Sequence, residues 1–223
     1  MQRSWWSRLW RWLIALVLVP VAAGASWALW DFLLQLGRYP VKWIPLSCGM
    51  AVWWVIFVSL PKPMWLYVVG HELTHALWAW LCGARVKSFK ASARGGQVVL
   101  TKSNSLIVLA PYFFPLYSAL WVTACALCAW FWGWRNHEFW MLLGLGVTYA
   151  FHLTLTGHVI RTRQPDFDGE GWIFSAVVVW LLHVLLLLLA LPWVTRVLSS
   201  VFLLSLAVEH TKTLLRQLEP WLL

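Results

Sequence analysis

Apolar residues in this chain run in unbroken stretches, not in the alternating or single-face patterns of water-soluble elements. The uncharged runs 13–30 and 43–60 have the length of about 20 residues that a helix needs to cross a bilayer. Residues 64–81 form a third run, unusual in carrying His71, Glu72 and His75. Residues 106–134 form a fourth, in which Pro111 and Pro115 are expected to bend the first turns. Runs 139–160 and 172–191 complete six. The short apolar run 197–208 leads into the mixed stretch 209–216, which reads as a seventh crossing or as an interfacial helix. Between the third and fourth runs, residues 86–93 and 97–101 flank Arg94-Gly95-Gly96, a hairpin signal. The expected fold is an all-α polytopic membrane protein of six or seven transmembrane helices, with a short β-hairpin after the third.

Composition agrees. Of 223 residues, 61% are hydrophobic and 11% charged, against about 45–50% and 25% in soluble domains. A water-soluble domain of this size could not cover so much apolar surface. A soluble enzyme, a nucleic-acid binder and a disordered tail are thereby excluded. The 21 Trp strengthen the reading, because indole rings collect at the headgroup boundary. Trp5, Trp6, Trp10, Trp12, Trp43, Trp65, Trp132, Trp134, Trp140, Trp172 and Trp193 mostly flank apolar runs. The net charge of +9 then marks cytoplasmic loops and anionic lipid, not nucleic acid. Cys125-x-x-Cys128 has metal or redox spacing, but lies in an uncharged stretch where helix packing accounts for it.

Arg3, Arg8 and Arg11 precede the first run, which contains Ala23-Gly24-Ala25 and so resembles a signal peptide with its cleavage site. Apolar character continues to Trp30, as in an uncleaved anchor. The two polar loops, 83–105 and 161–171, are separated by two crossings and hold seven basic residues, which makes their shared side cytoplasmic.

The chemistry concentrates in the third run. His71-Glu72-Leu73-Thr74-His75 places two imidazoles at i and i+4, on one helix face, within reach of one Zn²⁺. Glu72 stands beside them as a general base for a metal-held water. Ionisable residues inside the membrane are costly and usually functional. A hydrolytic zinc site needs a third protein ligand and an open position. Candidates are His152, His158 and His183 in the runs, and Asp31, Glu138, Asp166, Asp168 and Glu170 near their ends. His75 is six residues before Leu81, about 9 Å from the helix end at 1.5 Å per residue. A short dip of the 166–170 loop from that same side would bring a carboxylate to the metal. Pro165 and Gly169 predict non-helical backbone there, in which Asp166 and Asp168 point the same way.

Gly70-His71-Glu72-Leu73-Thr74-His75-Ala76 in a span, then a basic loop, two spans and an Asp at the mouth of another, resembles the site-2-protease family of intramembrane zinc metallopeptidases. Within it, the chain is similar to the compact, bacterial-type branch without a PDZ insertion. The resemblance covers roughly residues 63–191; spans within 1–62, and the span or amphipathic helix of 192–223, lie outside it. It implies a multi-pass protein, in a bacterial inner membrane, that cleaves single-span membrane proteins near the cytoplasmic leaflet. His71, His75 and Asp166 would be the Zn²⁺ ligands and Glu72 the catalytic base. In Gln164-Pro165-Asp166-Phe167-Asp168-Gly169, Asp166 fits the Gln-x-Asp form of the compact branch and Asp168-Gly169 fits the commoner Asp-Gly form, so Asp168 is the alternative ligand. The resemblance also implies that the strand after the motif, with Gln97, Val98 and Val99, offers its edge to an unwound substrate. Strand addition supplies the reason, since an extended peptide can pair there. The rival reading is a non-enzymatic membrane protein that binds a metal or a partner. Glu72 speaks for the enzyme, because metal binding alone does not require it.

Overall fold

The computed structural model describes residues 5–92, 95–134, 136–162 and 165–219. Ala93, Arg94 and Gln164, which belong to the hairpin and Gln-x-Asp signals, and Arg163 of the basic loop lie outside the described residues. The elements in order are α1 (Trp5–Leu36), α2 (Pro40–Ser59), α3 (Met64–Leu81), β1 (Val86–Ser92), β2 (Gly95–Leu100), α4 (Ser105–Phe113), α5 (Leu116–Trp132), α6 (His137–Ile160), α7 (Pro165–Glu170), α8 (Trp172–Thr195) and α9 (Ser200–Leu218).

Four of the described helices, α1, α2, α6 and α8, are long and apolar enough to cross a membrane. The pair α4–α5 makes a fifth if it is one broken span, bent by 69°. The break falls at Phe114-Pro115, where proline has no N–H to continue the ladder. This is fewer than six or seven. The third run is helical over its whole expected length, but its two His and one Glu lower its apolarity. The last run is a single helix, α9, with Glu209 and Lys212 exposed. Large apolar side chains such as Val55, Trp130 and Val201 remain exposed on the helix surfaces, a pattern compatible with a multi-pass membrane protein.

By packing, the chain forms two compact units, Met1–Tyr39 with Phe167–Leu223, and Pro40–Asp166. The segments 1–62, 63–191 and 192–223 divide it by motif content instead. In the first unit, α1 packs on α8 and α9. Ala15, Ala22, Ala25 and Ala28 are buried on α1; small residues let helix backbones approach closely. Asp31 accepts from His210 Nε2 at 2.8 Å, and the Trp27 ring stacks on His210 at 4.3 Å. Arg11 pairs with Glu170 at 2.9 Å.

In the second unit α2 lies along α6, and α3 is contacted by α4, β1 and β2. A Cβ at Gly146 would collide with the Leu46 carbonyl oxygen, so α6 needs glycine there to meet α2. Lys42 of α2 pairs with Glu138 of α6. The hairpin is antiparallel, with Ser92 opposite Gly95 and Phe89 opposite Val98. The expected hairpin is present, and with α3 and α4 it frames the cluster described next.

Candidate metal centre

Helical spacing sets His71 and His75 one turn apart on α3, ring centroids 4.8 Å apart. Their Nε2 atoms lie 3.2 Å from each other. Asp166 Oδ2 completes a triangle, 3.5 Å from His71 Nε2 and 3.6 Å from His75 Nε2. Among the described residues, this is the one group of three or more His, Cys, Asp or Glu side chains that could hold a metal ion. A point equidistant from the three atoms lies about 2.0 Å from each, within the range of first-row metal bonds to imidazole and carboxylate. The donor set and its size therefore fit a divalent cation.

Neighbouring groups orient all but one side of this triangle. His75 Nδ1–H donates to the Ile107 carbonyl at 2.9 Å, which leaves the Nε2 lone pair free to face the centre. Tyr112 Oη donates to Asp166 Oδ2 at 2.9 Å, and the edge of one ring meets the other where Tyr112 packs on His71. Both partners come from α4, whose start is capped by Asn104 accepting from Ile107 N at 2.8 Å. Burial works against ionisation of Asp166, but the adjacent imidazoles and the Tyr112 hydroxyl outweigh it and hold its carboxyl well below the usual carboxylate range.

Glu72, next on α3, is buried under the hairpin. A Cβ built on Gly96 would lie 2.7 Å from Glu72 Oε1, closer than atoms pack, so any larger residue there would force the Glu72 side chain to shift. A cavity of about 860 Å³ opens beside the triangle, lined by His71, Glu72, His75 and Asp166 and by Gly96, Gln97 and Val98 of β2. Val99 is exposed and does not line it.

The two aspartates separate clearly. The backbone around them is helical, in α7, and not extended as the sequence suggests. Pro165 is the first residue of that helix, a position where its missing N–H costs nothing. Two residues apart on a helix is about 200°; Asp166 turns to the imidazoles, while Asp168 is exposed. The remaining candidates lie elsewhere. Asp31, Glu138 and Glu170 are engaged by His210, Lys42 and Arg11. His158 is exposed, and His183 lies half-buried on α8. His152 is buried. Sequence reasoning missed Ile107 and Tyr112. Their signal is faint: a proline and a phenol inside an uncharged run.

No family model matches the chain, and neither a curated protein nor a solved structure matches it.

Proposed function

We propose that the protein is an intramembrane zinc metalloprotease that hydrolyses a peptide bond in single-span membrane proteins. The observation that carries this reading is the convergence of His71 Nε2, His75 Nε2 and Asp166 Oδ2, with Glu72 beside them at a cavity. Edges of 3.2–3.6 Å are of the size that three ligands of one zinc ion would span with bonds of about 2.0–2.1 Å. Three protein ligands leave the fourth position for water, as hydrolytic sites require. Bound there, Zn²⁺ would acidify that water and polarise the scissile carbonyl. Glu72 takes the proton from the water and delivers it to the leaving amine. Gln97 and Val98 on β2 hold the substrate in extended form by strand addition. A helix hides its amides, so a substrate must unwind before it can pair.

In this reading α3 also crosses the bilayer, since its 18 residues span about 27 Å. With the bent α4–α5 pair as one crossing the total is six, and α9 would make seven. The hairpin and the α6–α8 connection then share the cytoplasmic side of a bacterial inner membrane. The experiment is zinc analysis of purified protein together with cleavage of a panel of single-span substrates. One zinc per chain and Glu72-dependent cleavage support the reading. Stoichiometric metal with no cleavage of any substrate would favour a non-enzymatic metal-binding membrane protein.

A further inference from the structure

Among the described residues, His75 and Asp166 each have a partner outside the triangle that fixes their orientation, but the His71 Nδ1, which is buried, has none. A metal-held imidazole nearly always donates its second ring N–H to a carboxylate, a carbonyl or a water. His71 also lines a second, small cavity of about 20 Å³, together with Thr74, His152, Tyr67, Gly70 and Tyr117 and apolar residues that include Phe114, Leu116 and Phe151. One water needs roughly 10–15 Å³ of such space and two to four polar partners. The cavity therefore has room for one water and not for a side chain.

We propose that this cavity is a binding site for a single ordered water that accepts from His71 Nδ1–H and donates to Thr74 Oγ1 and to the His152 imidazole. The proposal rests on the metal-site reading above. Thr74 is suited to its part, because its hydroxyl hydrogen is committed to the Gly70 carbonyl at 2.7 Å and its lone pairs remain to accept. His152 projects from α6 and is buried. Three hydrogen bonds is the usual number for a buried water. The water fixes the His71 tautomer as Nδ1–H, leaving Nε2 to face the metal, and makes Thr74 and His152 positioning residues that act through it.

The test uses the full chain in nanodiscs, labelled with ¹⁵N-histidine, with and without added Zn²⁺. The expected result is an Nδ1–H signal for His71 with a cross-peak to water. His152→Phe and Thr74→Val should each remove that cross-peak and speed zinc release to a chelator by about 10–100-fold, the usual effect of losing an outer partner. His152→Gln, which restores a polar wall, should recover much of the loss. Thr74→Val is close in shape to the native residue and keeps the test alive if His152→Phe does not fold. Absence of the water cross-peak in wild type, or zinc release within twofold of wild type in the substituted proteins, overturns the proposal and leaves the protease reading standing. A wild type that takes up no zinc overturns the protease reading instead; the His71–water cross-peak of the metal-free protein then decides the hydration site by itself.

Discussion

The carbonyl that receives His75 Nδ1–H belongs to Ile107, and the residue four positions after Ile107 is Pro111. In a regular helix the i+4 amide would take that carbonyl. Proline has no N–H, so the α4 ladder leaves the Ile107 oxygen free for a side chain. A helix defect thus orients a candidate metal ligand.

Pro111→Ala tests this relationship. The restored N–H competes with His75 for the Ile107 oxygen, so zinc affinity should fall about 10-fold, while thermal stability holds or rises, since alanine suits a helix interior. Isothermal titration against zinc and a melting curve measure the two separately. Unchanged affinity would mean that the bond does not orient His75.

Glu72→Gln should keep zinc at its wild-type level and slow cleavage by about 10²–10⁴-fold, the range expected for losing a general base. Metal analysis beside a cleavage assay reads both. Zinc loss with surviving cleavage would strip Glu72 of its role.

The helical turn of α7 sets a ranking between its two acids. Asp166→Ala should lose zinc and activity together, as should His71→Ala and His75→Ala. Asp168→Ala should retain both to within about twofold, because surface substitutions seldom matter. The opposite order would move the ligand role to Asp168.

Tyr112→Phe removes only the hydroxyl that donates to Asp166. Loss of such an outer partner typically costs about 10–100-fold in metal affinity. A competition titration with a chromophoric chelator gives the number, and an affinity equal to wild type would leave Tyr112 as packing alone.

Gly96→Ala puts a methyl group against the Glu72 side chain. Cleavage should drop by more than about 10²-fold, as for a displaced base, with zinc content unchanged. Full activity in this variant would show that the hairpin leaves Glu72 during turnover.

Much of this arrangement is legible in the chain itself. The apolar runs give the helices, because an unbroken apolar stretch of about 20 residues can satisfy its own backbone in lipid only as a helix, and His71 with His75 gives the ligand face by spacing alone. The conformation of 165–170 is not legible. Pro165 and Gly169 speak for a turn, and nothing local reveals that Pro165 starts a short helix. Nor is the span count, since the residues that make α3 interesting are those that lower its hydropathy. Ile107 acts through its carbonyl, which every residue possesses, so no side-chain pattern could single it out. Tyr112 becomes meaningful only once tertiary packing brings Asp166 to it from 54 positions away.

Because α4 supplies both the Ile107 carbonyl and the Tyr112 hydroxyl, occupancy of the proposed centre by an ion would be thermodynamically linked to the seating of that helix. Any cation that prefers the closed triangle also prefers α4 in place, and at a hundredfold excess over its dissociation constant it adds about 2.7 kcal/mol to that state. The coupling is reciprocal. A ligand or substrate that pulls α4 away from α3 weakens the grip on the ion, and a chelator that removes the ion loosens α4. Amide hydrogen exchange along residues 105–113 should therefore report how fully the proposed centre is loaded.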